Sequence, residues 1–201
     1  NGIIITVLFA CLIGSSLLFY AGWELIIVGL LCVLFAFLYT TGPYPLSYNG
    51  WGDILVIVFF GFVPVGGTYY VQALTWTTDT TIASLICGLL IDTLLVVNNY
   101  RDREADARSG KRTVIVRFGE KFGSYLYLML GMTASLLCFW FLFEGHLYAA
   151  LLPLLYLIPH FLTWKRMVRI HSGKKLNSIL GETSRNMLLM GILLSIGFFL
   201  N

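Results

Sequence analysis

Thr80-Thr-Ile-Ala-Ser-Leu-Ile-Cys-Gly-Leu-Leu-Ile-Asp92-Thr-Leu-Leu-Val-Val-Asn98-Asn99 is a run of apolar and small residues with a single ionisable side chain in its interior. A helix rises about 1.5 Å per residue, so about 20 such residues cross a hydrocarbon core of about 30 Å. The run therefore reads as a membrane span. Similar runs occur at 3–20, 23–41, 51–72, 122–143, 147–164 and 186–200, which makes seven. Of the 201 residues, 58% are hydrophobic and 11% charged, against roughly a quarter charged in soluble domains. A water-soluble fold has no place for that much apolar surface. The sequence predicts an all-α, multispanning helical membrane protein whose first partner is the lipid bilayer, with no nucleic-acid partner.

The basic residues orient the spans. All thirteen Lys and Arg fall in two connections: Arg101, Arg103, Arg108, Lys111, Arg112, Arg117 and Lys121 in one, Lys165, Arg166, Arg169, Lys174, Lys175 and Arg185 in the other. Seven spans place both on the same side as connection 41–50. The connections near Ala21, at 73–79 and at 144–146 share the opposite side and contain no Lys or Arg. The excess of Lys and Arg marks the cytoplasmic side. The expectation is a multi-pass protein of the cell inner (cytoplasmic) membrane with Asn1 also on the cytoplasmic face. The chain starts at Asn1 without an initiator Met, so a preceding segment is expected. No charged leader with a small-residue cleavage site appears, and the first run is read as part of the fold. Cys11, Cys32, Cys87 and Cys138 lie in different runs with no CxxC or His-Cys spacing and read as packing residues.

Polar chemistry concentrates where the fourth span ends. If that helix continues beyond Asn99, then Asn98, Asp102 and Asp106 follow at i, i+4 and i+8, each step turning about 40° and rising about 6 Å, so their oxygens form one stripe. An amide oxygen and two carboxylates are hard donors suited to Mg²⁺, which binds through few protein carboxylates and fills its shell with water and phosphate oxygens. Such an ion implies a phosphorylated ligand. Lys111, Arg112 and Arg117 follow and can meet a diphosphate, with Arg suited to bidentate contact. Gly110 would let the chain turn back. The same charges also read as a solvated loop of weak surface pairs, a reading that leaves Asn98 and Asn99 unexplained.

Elsewhere the polar residues are less specific. Connection 164–185 reads as topogenic and attracted to anionic headgroups. Connection 41–50 has no basic residue but is rich in Pro, Gly and Tyr, so it reads either as an ordered loop covering a pocket or as interfacial anchors. Asp92 is a pocket residue or a helix–helix hydrogen-bonding group, His160 a packed or interfacial histidine, and Gly66-Gly67 a close helix-packing site. His146 and His171 lie in connections with no partner at ligand spacing.

The segment Asn98-Asn99-Tyr-Arg101-Asp102-x3-Asp106-x3-Gly110-Lys111-Arg112-Thr113-x3-Arg117-x-Gly119 resembles the second aspartate-rich motif of the UbiA-type intramembrane prenyltransferases. Tyr39-Thr-Thr-Gly-Pro43-Tyr44-Pro45-Leu-Ser-Tyr48-Asn-Gly50-Trp-Gly52-Asp53 and its continuation through Phe59-Phe60-Gly61 and Gly67-Thr-Tyr-Tyr70-Val-Gln72 carry a second part of the resemblance. It runs over essentially the whole chain and is greatest to the branch that acts on 1,4-dihydroxy-2-naphthoate in menaquinone biosynthesis. The resemblance implies a nine-helix bundle around a central cavity. The seven spans would be its third to ninth helices, in a single prenyltransferase domain over 1–201 that lacks the two amino-terminal helices and the first aspartate-rich motif. It also implies transfer of a polyprenyl group from a polyprenyl diphosphate to 1,4-dihydroxy-2-naphthoate with decarboxylation, giving demethylmenaquinone.

In that scheme Asn98, Asp102 and Asp106 would hold Mg²⁺, with Asp102 and Asp106 the catalytic pair. Arg101, Lys111, Arg112 and Arg117 would bind the diphosphate, and Tyr39, Asn99 and Asp53 would line the acceptor pocket. Other superfamily members follow the Tyr at position 39 four residues later with Lys. Here Pro43 stands in that place, so that diphosphate contact is not expected. Two alternatives remain open at this stage: a UbiA-type enzyme with another aromatic acceptor such as 4-hydroxybenzoate, and a transporter or binding protein whose carboxylates hold a cation.

Overall fold

The computed structural model describes residues 2–200 and is helical almost throughout. Asn1, expected on the basic side, lies outside the described residues. The first span is α1 (Gly2–Ser15) and, after a short break, α2 (Leu18–Ala21). α3 (Glu24–Thr40) follows, and connection 41–50 ends in a 3-10 turn at Leu46–Asn49. The third span opens with α4 (Gly52–Val56), widens to a π-helix over Ile57–Gly66 that contains Pro64, and closes with α5 (Gly67–Ala73). Proline cannot donate the next hydrogen bond of a helical ladder, and a widened register tolerates that gap.

The fourth span is α6 (Thr78–Arg108), a single 31-residue helix. It begins where the Thr77 hydroxyl accepts from the Thr80 N–H at 3.1 Å, the usual satisfaction of an otherwise unpaired N-terminal donor. It ends where Gly110 turns left-handed at φ 78° and Lys111 N–H returns to Asp106 C=O at 2.9 Å, a glycine stop of the kind expected at that position. The fifth span is α7 (Val114–Leu137) with α8 (Trp140–Phe143). Gly119 breaks α7 with φ 87°, so the first turn of α7 is offset from the apolar rod that follows, whose predicted start was residue 122. The sixth span runs through α9 (Leu147–Leu151), a 3-10 segment Leu152–Tyr156 and α10 (Leu157–Ile170), and the last is α11 (Asn177–Phe199).

Among the described residues, six helical stretches are long and apolar enough to cross a membrane. The remaining predicted span, α3, is an apolar helix of 17 residues. The expected multispanning all-α architecture is the one observed, with several spans extending beyond their apolar cores because helices continue into the interface. Contacts also place the connections as charge parity predicted. Arg112 N–H donates to Tyr48 C=O and Arg103 reaches His171 C=O, which joins all three basic-side connections. At the other end Trp140 Nε1–H donates to Asp79 at 2.7 Å.

The core is centred on α6, which packs along α7 and the π-helical stretch. Ile86, Val96, Val97 and Tyr100 of α6 are buried against Ile115 and Tyr127 of α7. None of the described residues of α1 or α3 is buried, so these helices offer their apolar sides outward. Deeper in the bundle His160 is a packed residue, as expected. Its ring stacks between Tyr127 and Tyr156, with centroids at 4.7 and 5.0 Å. Tyr156 Oη and Leu128 C=O lie 2.9 and 3.2 Å from its two nitrogens. Both ring nitrogens are thereby satisfied, as buried polar atoms require.

The closest helix approach is not at Gly66-Gly67. A Cβ on Gly61 would stand 2.5 Å from Ser84 C=O and 2.7 Å from Gly88 Cα, whereas Gly66 lies under the Trp76 ring and Gly67 faces open space. Small residues let backbones meet, and the meeting point is decided by which helix crosses, which a single glycine pair cannot tell. Gly61→Ala should therefore destabilise the protein by about 1–3 kcal/mol, the cost of overpacking. Thermal melting in detergent should show a lowered midpoint for Gly61→Ala and an unchanged or raised one for Gly67→Ala. Equal melting of the two variants would contradict this packing.

Candidate active site

Because α6 stays helical past the apolar run, Asn98, Asp102 and Asp106 do share one side of it, at the basic end. Each of their acceptor groups is engaged by a cation of the chain. Arg101 Nε–H donates to Asp102 Oδ1 at 2.7 Å, and Nη2 donates to Asp102 Oδ2 at 2.5 Å and to Asn98 Oδ1 at 2.7 Å. Its Nη1 reaches Asn177 Oδ1 of α11 at 2.9 Å. Lys111 Nζ lies 2.9 Å from Asp106 Oδ1. Asp106 is buried, and its carboxylate holds the Lys111 ammonium above the usual lysine range. The loop reading with weak surface pairs is thus incomplete, since these pairs are ordered and partly desolvated.

Beside the stripe lies a cavity of about 330 Å³ walled by Tyr39, Tyr48, Asp53, Asn98, Asn99 and Lys111, together with Ser47, Leu95 and Thr113. Five residues singled out from the sequence, Tyr39, Asp53, Asn98, Asn99 and Lys111, therefore converge on one space. Arg101, Asp102, Asp106, Arg112 and Arg117 lie outside its wall. Arg101 is turned to the stripe, and Arg112 contributes a backbone N–H to Tyr48 C=O at 2.7 Å. Arg117 extends to Asn49 C=O at 2.8 Å.

These last two contacts decide the role of connection 41–50, which is an ordered cover. Ser47 Oγ–H donates to Tyr39 C=O at 2.5 Å, Asn49 Nδ2 to Pro45 C=O at 2.8 Å, and Lys111 Nζ stands 5.2 Å from the Tyr48 ring centroid, within cation–π range. Gly50 adopts φ 83°, and a Cβ there would lie 3.0 Å from Arg112 C=O. Only glycine combines that backbone conformation with so close an approach.

Deeper in, Asp53 and Asp92 interact electrostatically from facing helices. Each has an Oδ1 that is buried without a hydrogen-bond partner. Asp92 therefore differs from both readings made of it: it is absent from the cavity wall, and its Oδ1 makes no helix–helix bond. Such orphaned acceptors are rare, and a ligand hydroxyl entering past Asp53 is one way to satisfy them. Sequence reading missed Asn177, and it placed Ser47 and Tyr48 in a loop that could cover a pocket and Thr113 in the motif after Asp106 without giving any of the three a role. Asn177 carried no signal, being a lone amide in a connection dominated by Lys and Arg.

The donor set suits Mg²⁺ in kind: two carboxylates and an amide oxygen on one helical side, next to basic groups for phosphate. Among the described residues, no group of three or more His, Cys, Asp and Glu is placed to hold a metal, so water and phosphate oxygens would have to complete the shell.

The UbiA prenyltransferase family matches residues 1–198. The chain belongs to that family. It is 34% identical over 217 aligned residues to 1,4-dihydroxy-2-naphthoate octaprenyltransferase of Escherichia coli (strain K12), covering 100% of this chain and 68% of the relative. To the protein of the same name from Haemophilus influenzae it is 33% identical over 195 residues, 92% of this chain and 59% of the relative. To that from Mycobacterium tuberculosis it is 43% identical over 119 residues, 59% and 40%. The chain thus spans about two thirds of the first of these relatives and less of the others. No solved structure matches it.

The cover makes its own prediction. Arg117→Ala removes the side-chain tie to Asn49 and should raise amide hydrogen exchange in 44–50 by roughly 5- to 30-fold, as expected for loss of one or two kcal/mol of local stability. Exchange in α6 should stay as it was. Unchanged exchange in 44–50 would show that Arg117 does not hold the cover.

Proposed function

We propose that this UbiA-family chain forms a single prenyltransferase domain that moves a polyprenyl group from its diphosphate to 1,4-dihydroxy-2-naphthoate with loss of CO₂, the step that gives the prenylated hydroquinone from which demethylmenaquinone is obtained by oxidation. The observation that carries the reading is the cavity itself. Its wall joins Asn98, Asn99 and Lys111 to Tyr39 and Asp53, and Lys111 is in turn paired with Asp106 of the stripe. The names of the relatives supply the acceptor and the class of donor.

The polyprenyl tail extends into lipid or between helices, while its diphosphate lies at the basic end. There Lys111 and Arg101 meet phosphate oxygens and stabilise the negative charge that builds on the leaving group. Mg²⁺ held by Asn98, Asp102 and Asp106 would neutralise the diphosphate as a Lewis acid. The C–O bond of the allylic diphosphate breaks with its electron pair leaving on the diphosphate. The ring carbon bearing the carboxylate then forms the new C–C bond, and CO₂ departs, returning its bonding pair to the ring.

Asp53, Tyr39 and Asn99 orient the ring by its hydroxyl groups, and the cover 41–50, whose Tyr48 forms part of the cavity wall, limits access of the water that would quench an allylic cation. Arg112 and Arg117 act through the cover that they tie down and through positive charge at the entrance. The basic end faces the cytoplasm of an inner-membrane protein, because the Lys and Arg bias favours that orientation and the donor's charged diphosphate head is hydrated at that face while its tail stays in lipid.

Turnover of the full chain with a polyprenyl diphosphate, 1,4-dihydroxy-2-naphthoate and Mg²⁺ tests this. Product should form and should disappear with EDTA. Asp102→Ala and Asp106→Ala should each lower kcat by about 10²- to 10³-fold, the range for losing a group that stabilises developing charge. Asp53→Asn should raise KM for the naphthoate more than for the donor. Turnover with 4-hydroxybenzoate alone would move the chain to another acceptor, and full activity of both alanine variants would sink the assignment of the stripe.

A further inference from the structure

The stripe that would hold the divalent ion is already neutralised by the chain. Arg101 occupies both oxygens of Asp102 and the amide oxygen of Asn98, and Lys111 occupies Asp106. Two carboxylates face two cations, leaving no net charge to draw in a further positive ion. A metal bound by the same oxygens would compete for the lone pairs that these donors use. It would also place like charges a few ångströms apart in a partly buried site, where repulsion is weakly screened. The guanidinium can leave only for another anion, and a planar fork of donors matches diphosphate oxygens as well as it matches a carboxylate. One of its contacts need not break: Nη1 is held by Asn177 Oδ1 of α11, which is not among the stripe oxygens.

We propose that Arg101, aided by Lys111, acts as a resident counter-cation that yields the stripe only when diphosphate is present, so that metal and diphosphate bind as a coupled pair, and that Asn177 is the positioning residue that keeps the guanidinium beside the site during the exchange. The inference rests on the prenyltransferase reading for the identity of the two ligands. It goes beyond that reading in assigning an order of binding and a role to Asn177. The chain arrangement ensures that the stripe stays charge-balanced before the donor arrives. It also releases two cations towards the diphosphate at the moment when its charge has to be met.

The test is Mn²⁺ binding by the purified full chain in detergent, measured as protein-bound Mn²⁺ after ultrafiltration, with and without inorganic pyrophosphate. No turnover is needed. Wild-type protein should bind Mn²⁺ weakly alone and about 5- to 150-fold more tightly with pyrophosphate, the usual span of coupling between two ligands. Arg101→Gln should bind Mn²⁺ alone several-fold more tightly than wild type and lose most of the enhancement. Asn177→Ala should lose part of the enhancement with little change for Mn²⁺ alone. Arg108→Gln removes a charge from the exposed end of the same helix and should behave as wild type, which separates a specific contact from a general field.

Should Arg101→Gln fail to fold, Arg101→Lys, which keeps the charge and loses the fork, should still show a reduced enhancement. Equal Mn²⁺ affinity of wild type with and without pyrophosphate overturns the proposal, as does weaker binding of Mn²⁺ alone by Arg101→Gln. These outcomes separate from the prenyltransferase reading. Product formation together with uncoupled Mn²⁺ binding removes the coupling alone, and coupled binding without product from either aromatic acceptor removes the acceptor assignment alone.

Discussion

The unbroken backbone ladder of α6 is the constraint on which the rest depends. In hydrocarbon every N–H and C=O must be satisfied within the segment, which makes a helix obligatory over the apolar run. The ladder does not stop where the membrane does. At about 1.5 Å per residue, the 31 residues from Thr78 to Arg108 are longer than a span needs, and the surplus carries Asp102 and Asp106 in phase with Asn98. A break after Asn99, the residue at which the apolar run ends, would scatter those oxygens. The rest of the fold supports that rod. Gly61 and Gly88 let the third span approach it at backbone distance, and the apolar core lies along its contact with α7.

The polar end is built as a balance of charges. Arg101 with Asp102 and Lys111 with Asp106 pair acids and bases within one region. Arg103 closes a second cluster: it reaches Glu120, and His171 Nδ1 lies 3.2 Å from the same carboxylate. Exposed pairs of this type contribute little to stability. Their value here is positional: the Arg101 and Lys111 pairs fix side chains at the end of α6, and the contacts of Arg101 with Asn177 and of Arg103 and Glu120 with His171 join connections far apart in the chain. The cover 41–50 is held in the same way, by one backbone and one side-chain bond to the segment after α6. The cavity is thus roofed by a loop with no basic residue of its own.

Much of this was legible from residue order. The seven apolar rods, the shared side of the two basic connections, the continuation of α6, the stop at Gly110 and the packed state of His160 all follow from local chemistry, and family membership was visible in the motif around Asp102. Other features were misread for physical reasons. The glycines of close approach are Gly61 and Gly88 rather than Gly66-Gly67, because a glycine marks where a backbone can be approached and not which neighbour arrives. Asp92 was read as a hydrogen-bonding or pocket residue, yet its Oδ1 has no hydrogen-bond partner and, unlike Asp53, it does not line the cavity.

Residue order alone carried the class of fold, the common side of the basic connections and the phase of the candidate oxygens. All three are set by hydrophobicity, charge and helical period over neighbouring residues. Only the tertiary structure decided that Tyr39, Asp53, Asn99 and Lys111 wall one cavity, that Arg101 already fills the stripe, and that Asn177 reaches it from the last span. Those facts depend on helix crossings between residues as much as 76 positions apart, and no local pattern encodes which side chains such crossings bring within hydrogen-bonding distance.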